Sequence, residues 1–279
     1  MKGAPAWGAS RADTTGQVGG PGHRGRGRGH RVGAGLKKRT VVVALFVAVV
    51  GALCSTRATA EWEKSVALYL WAISMEGTQV VQGNPIEVDT SFSDILSDLD
   101  MAFTVHAEAK KDRWLALFDV NWGKLGPETP PQVEDLDVKF AFVELGGGYL
   151  LKEKLYLLFG ARYITLDVEA VIGGLPVPAP SFKVGGDEDW IDPYIGLRYE
   201  HQFAEKWTVM LRSDVGGFGV GSDLAWNVAA FLERDLSRRT SLMLGAGYLD
   251  VDYEDGQGDE LFVYDIKHTG LILAFNLTF

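Results

Sequence analysis

The sequence predicts an all-β protein: an up-and-down antiparallel transmembrane β-barrel of about ten strands, with eight or twelve as alternatives. Three observations carry this. Hydrophobicity after Trp62 alternates with a period of two, not 3.6. Short charged turns alternate along the chain with longer polar connections. The chain stops on Phe279, at the end of a strand whose apolar side chains alternate.

Composition sets the outer bounds. The chain has 279 residues, 47% hydrophobic and 23% charged, which suits a packed protein and not a disordered one. Its single cysteine excludes a disulfide scaffold and a multi-cysteine metal site. No apolar run reaches the roughly 18 residues that a spanning helix needs. The net charge of −10 is unevenly divided. Ten Lys/Arg and one acid, Asp13, lie in residues 1–60, leaving 17 basic and 36 acidic residues beyond. So acidic a body repels phosphates, and no nucleic acid partner is expected.

Residues 1–60 read as a leader. Lys37-Lys38-Arg39 precedes the uncharged run Val41–Leu53, and Ala58-Thr59-Ala60 follows. A basic flank, a short apolar core and an A-x-A end make a secretory signal peptide cut near Ala60. As a helix the run rises only about 20 Å, too short for a membrane anchor. Cleavage there removes Cys54, the one cysteine. The Gly/Arg run Gly22–Arg31 has the composition of an RGG-type RNA-binding segment, but a basic tail before an export signal has no nucleic acid to meet, so the favoured reading is a later translation start, for example at Val32. The remaining 61–279 are the expected barrel.

The strands follow in order. The first is read at about 64–74. The second, at 100–110, sets Phe103, Val105, Ala107 and Ala109 against Thr104, His106, Glu108 and Lys110. The turn Lys111-Asp112-Arg113 leads into 113–125, and Lys152-Glu153-Lys154 joins 137–151 to 154–170. Ile195, Leu197 and Tyr199 mark 189–203; Trp207, Val209 and Leu211 mark 206–218. Strands at 222–234 and 239–253 precede the last, 262–279, in which Leu271, Leu273, Phe275, Leu277 and Phe279 share one face. The long connections fall at 75–99, 126–136, 171–189 and 254–260. Within the first, Ser91–Leu99 has the apolar spacing of a short helix. Gly146-Gly147-Gly148 lies mid-strand, which suggests a bend or close packing and not a phosphate loop. The even strand count puts both chain ends on the tight-turn side.

The closing segment LILAFNLTF, residues 271–279, resembles the C-terminal signal of bacterial outer-membrane β-barrel proteins. YLWAISMEGT (69–78), SFSDILSDLDMAF (91–103) and KDRW (111–114) are similar to a group of small proteins of that class. The resemblance implies a Gram-negative outer membrane, lipid and lipopolysaccharide as surroundings, and insertion by the barrel-assembly machinery. It implies no particular activity.

If the apolar face meets lipid, the other face meets the lumen. The lumenal charges are then His106, Glu108, Asp119, Glu144, Arg162, Arg198, Glu200, Arg212, Asp214 and Glu233. Acids and arginines interleave, and buried charges are costly unless paired, so a neutralised network is expected. Such a barrel has a structural role, passes a small solute in a porin-like way, or binds at its surface. The rival is an outer-membrane hydrolase, which requires a histidine beside a hydroxyl or carboxylate near the outer rim. His268, with Asp265 and Ser222 or Asp223 as neighbours, is the candidate. No cofactor and no metal site is expected; the acidic loop Asp250–Glu260 fails the calcium-loop spacing, with Asp255 where glycine belongs.

Overall fold

A computed structural model describes residues 62–126, 133–172 and 182–279. The leader and the cleavage site expected in 1–60 lie outside these residues. Period-two alternation becomes strands at β1 (Glu63–Val81), β2 (Asn84–Thr90), β3 (Leu99–Lys111), β4 (Trp114–Leu125), β5 (Val133–Lys152) and β6 (Leu155–Ile172). They continue as β7 (Phe182–Ala204), β8 (Trp207–Gly217), β9 (Leu224–Asp235), β10 (Thr240–Asp255) and β11 (Phe262–Thr278). One short helix, α1 (Phe92–Asp98), lies between β2 and β3.

Strands β3 to β11 pair with their chain neighbours, all antiparallel, and β11 returns to β1. That closing register runs from Ser65↔Thr278 to Val80↔Val263. The Phe279 N–H donates to the Lys64 carbonyl at 2.8 Å, so the final residue is part of the closure. Closure matters because an open strand edge in hydrocarbon leaves backbone groups unpaired. The result is a ten-strand barrel with β2 as an extra strand beside the upper part of β1.

Two segments expected as connections are ordered strand instead. β1 continues beyond residue 74 and turns back through Gln82 and Gly83 into β2. Gln82 and Gly83 have φ of 51° and 73°, the left-handed pair that a tight hairpin turn requires. Ile86 and Val88 alternate with Glu87 and Asp89, so the period-two signal is present, but the run is short and Pro85 at its start speaks against a strand. Similarly β6 and β7 extend their pairing outward as far as Ile172↔Phe182. The helix expected at Ser91–Leu99 is present. Ser91 caps it: its side chain accepts from the Asp94 N–H while Asp94 accepts from the Ser91 N–H.

Outward-facing side chains form an apolar girdle. Leu68, Leu70, Leu145, Ile195, Leu211 and Leu244 are all exposed. So are Leu271, Leu273, Phe275, Leu277 and Phe279 of the closing strand. Burial in lipid, not in protein, is what such a surface requires. Trp226 and Tyr248 bound it on the long-loop side, where both donate to Asp250. Above them the outward faces carry charge: Glu76, Asp252, Asp265 and Lys267. Among the described residues no helix is long and apolar enough to cross a membrane.

The lumen is filled in layers. Near the tight turns Leu115, Leu117 and Leu158 pack with Tyr156 and Tyr194. On the long-loop side Ile164, Leu166, Trp190, Val251, Tyr253 and Ile266 form a second apolar cluster. Trp190 stacks on Tyr253 with centroids 4.0 Å apart. The charges lie between.

Candidate functional site

Side chains two residues apart on a strand point to the same face, so each lumenal strand contributes a short column of groups. β3 supplies His106, Glu108 and Lys110; β7 supplies Tyr194, Arg198 and Glu200; β8 supplies Arg212 and Asp214. Asp119 of β4, Glu144 of β5 and Arg162 of β6 complete the set.

These columns join into two linked groups. In the first, the ring nitrogens of His106 face Asp119 at 2.9 Å and Glu108 at 2.8 Å. Tyr69 donates to Asp119 at 2.8 Å. Arg198 pairs with both oxygens of Glu108 and with Glu200, and Lys110 reaches Glu200 at 2.9 Å. In the second, Arg162 donates to Glu144 at 3.2 Å and Asp214 at 3.0 Å. Arg212 donates to the same two carboxylates, each at 2.8 Å. Two arginines thus face two acids, the balance that makes burial of charge tolerable. Asn227 adds a donor to Asp214 at 3.0 Å.

Tyr194 organises the second group. Its hydroxyl donates to Glu144 at 2.9 Å, and the Arg162 and Arg212 guanidiniums each lie 5.5 Å from its ring centroid. To get there the phenol crosses Gly146 and Gly160. A Cβ at Gly146 would sit 2.1 Å from the Tyr194 hydroxyl, and one at Gly160 would sit 2.7 Å from it. Gly146 of β5 and Gly160 of β6 therefore form the groove for this side chain.

Of the ten charges read from sequence, nine fall into these two groups. Glu233 does not: it accepts from Ser241 elsewhere in the lumen. Sequence reasoning missed Tyr69, Lys110, Tyr194 and Asn227. Lys110 continues the two-residue column of His106 and Glu108, and Tyr194 shares parity with Arg198, so alternation alone could have found both. It also missed a buried knot beneath the loop before β9. Asp192 accepts from the Ser222 N–H and hydroxyl, each at 2.7 Å, and Trp190 donates to Ser222 at 2.9 Å.

His268 differs from expectation. It is 1% exposed. Its ring nitrogens meet the Tyr264 hydroxyl at 2.8 Å and the Leu249 carbonyl at 3.2 Å, and Phe142 packs on its edge. Its hydrogen-bond partners are neither Asp265, Ser222 nor Asp223. The physical reason is parity. His268 points inward into the apolar cluster, whereas Asp265, an odd number of residues away, points outward. Among the described residues there is no group of three or more His, Cys, Asp or Glu that could hold a metal ion.

A cavity of about 180 Å³ lies against the charged network. One wall is polar, with Tyr69, His106, Glu108, Asp119, Arg162 and Arg212. The opposite wall is apolar, with Trp71, Ala229, Phe231, Met243, Ile272 and Ala274. Three buried donors on its lining residues have no hydrogen-bond partner: Trp71 Nε1, Arg162 Nη1 and Arg198 Nε. Unpaired buried donors are uncommon and favour an acceptor placed beside them.

The outer rim is acidic. Burial, together with Asp255, Asp187 and Asp189, raises the Glu188 carboxyl above its ordinary range. Burial and the charges of Asp265, Asp223, Asp250 and Glu254 do the same to Asp252.

No family model matches the chain, and no curated protein matches it by sequence. Solved structures do resemble it. The outer-membrane protease OmpT of Escherichia coli superposes with a TM-score of 0.52 at 11% identity, covering 81% of this chain and 100% of that one. The translocator domain of the autotransporter NalP from Neisseria meningitidis gives 0.43 at 10% identity, covering 88% and 97%. Ail, the attachment invasion locus protein of Yersinia pestis, gives 0.37 at 13%, covering 78% and 99%. The chain has the fold of bacterial outer-membrane β-barrels. At such identities the likeness concerns fold alone.

Proposed function

We propose that the protein is an outer-membrane barrel whose lumen binds a small amphipathic solute and does not conduct as an open pore. The observation that carries this reading is the two-faced cavity, with a charged wall facing an apolar one. A cavity of about 150 Å³ holds benzene, so this one suits a single ring or a short chain. The arginines of the charged wall, Arg162, Arg198 and Arg212, favour a hydroxyl or carboxylate on that body, and the apolar wall favours its hydrocarbon part. Lipid and lipopolysaccharide surround the girdle, and the barrel-assembly machinery inserts the chain through its closing strand. Deleting Phe279 should therefore lower the heat-modifiable folded fraction far more than Thr278→Ala.

The test is titration calorimetry of the folded barrel with phenol, benzoate, benzylamine and benzene. Phenol or benzoate should bind more tightly than benzylamine or benzene, and Ala229→Phe, which fills the apolar wall, should abolish the signal. Equal affinity for all four, or binding indifferent to Ala229→Phe, would refute the reading. Planar-bilayer recordings give a second check. Large steady conductance steps would mean that the charges line a water-filled channel.

A further inference from the structure

The charges beside the cavity can be counted. The two linked groups hold five carboxylates: Glu108, Asp119, Glu144, Glu200 and Asp214. Four side chains that are cationic at neutral pH face them: Lys110, Arg162, Arg198 and Arg212. One positive charge is missing, and His106 is the remaining member of the groups that can supply it. Glu233 and Asp192 also lie in the lumen, but they are bound by Ser241 and Ser222, and neither lines the cavity.

The hydrogen bonds of His106 agree with this count. Its Nδ1 lies 2.9 Å from Asp119 and its Nε2 lies 2.8 Å from Glu108. A neutral imidazole has one N–H and one lone pair, so one of these contacts would set a lone pair against a carboxylate. An imidazolium has two N–H groups and satisfies both acids. The other partners of the two acids are donors as well. Glu108 accepts from Arg198 through both oxygens and has Lys110 Nζ at 3.7 Å. Asp119 accepts from Tyr69 at 2.8 Å. With His106 as a cation, the charges of the two groups balance.

A balanced wall restricts what it can bind. A carboxylate or an ammonium entering it becomes a buried charge with no opposite charge left to meet it, which is costly. A hydroxyl is uncharged, and it can donate to an acid and accept from an arginine. The chain shows this arrangement twice with phenols of its own. Tyr69, on the polar wall, donates to Asp119. Tyr194 donates to Glu144 at 2.9 Å, with the Arg162 and Arg212 guanidiniums each 5.5 Å from its ring centroid. The same two acids and two arginines line the cavity.

We propose that the cavity selects an uncharged hydroxyl compound, a phenol or a short alcohol, over a carboxylate or an amine of the same shape, and that His106 sets this preference as the cation that balances the wall. This rests on the cavity reading above and narrows it to one class of ligand. The apolar wall of Trp71, Phe231 and Met243 takes the ring or chain, and the charged wall takes the hydroxyl.

Titration calorimetry of the full chain, folded in detergent micelles at neutral pH and blanked against micelles alone, compares phenol, benzoate and benzylamine. We expect phenol to bind roughly tenfold or more tightly than either charged analogue. Benzoate that does bind should enter as benzoic acid and take up a proton from solution. That uptake is read from the difference in binding enthalpy between phosphate and Tris buffers, and phenol should show none. Two variants of similar shape move the charge in opposite directions. Glu144→Gln removes a negative charge and should raise the affinity for benzoate relative to phenol by roughly tenfold. His106→Gln removes the balancing cation and should raise benzylamine relative to phenol in the same way. Both variants are first checked for folding by heat-modifiable gel shift. If neither folds, the phenol–benzoate comparison and the proton uptake in the unaltered protein decide the matter. Benzoate binding as tightly as phenol without proton uptake, or preferences that stay unchanged in the folded variants, would overturn this proposal and leave the cavity reading standing. Binding of none of the three would overturn both.

Discussion

In the middle of the barrel the lumen is held together by charge, and on the long-loop side by apolar surface. Arg162 and Arg212 face Glu144 and Asp214 from three strands, β5, β6 and β8, each salt bridge set by distance and direction. Toward the rim, Ile164, Leu166, Val251 and Ile266 surround the stacked Trp190 and Tyr253, and apart from the Trp190–Ser222–Asp192 hydrogen bonds the contacts there are spread over many apolar atoms. Charge pairing fails when one partner is lost, because the other stays buried and unsatisfied. Apolar packing fails gradually, in proportion to the volume removed. The same barrel therefore carries one region intolerant of single changes and one that absorbs them.

Four variants break or sharpen this contrast. Arg162→Met has the largest expected effect. It leaves Glu144 and Asp214 sharing one arginine, and should cost about 3–5 kcal/mol in denaturant unfolding from lipid vesicles. A cost under about 1 kcal/mol would mean that the network is wet and screened. Ser222→Ala comes next, at about 2 kcal/mol, because Asp192 loses a hydroxyl donor and Trp190 loses its acceptor inside an apolar layer. Ile164→Val should cost only about 1 kcal/mol by the same assay. If it equals Arg162→Met, the proposed difference between the regions is wrong.

The smallest effect belongs to the rim. Asp252 has a folded pKa raised above its unfolded value, so the folded state binds the proton more tightly. Its contribution to stability therefore improves as pH falls from neutral through the raised value, and levels off near the ordinary carboxylate range of about pH 4. Asp252→Asn should raise the thermal midpoint slightly at neutral pH and flatten that dependence. Thermal scans between pH 4 and pH 8 measure both, and a steeper dependence in the variant would contradict the sign.

His268 shows how far pattern reading reaches. Its chain neighbourhood suggests a rim histidine near acids, yet alternation already turns it inward, away from Asp265. Parity was legible; what waited on the inner side was not. The same holds for the lumenal charges. Their facing direction follows from spacing in single strands, whereas the partnership of Glu108 with Arg198, 90 residues apart, follows from closure of the sheet.

By itself the sequence determined the strands, their two faces and the apolar closing strand, because alternation is a local property fixed by backbone geometry. It also determined that many lumenal charges would have to pair. Only the tertiary structure decided which charges meet, that Glu233 stands apart, and that β2 joins β1. These depend on shear and closure, which set the height of each strand against its neighbours, and no stretch of chain encodes that height alone.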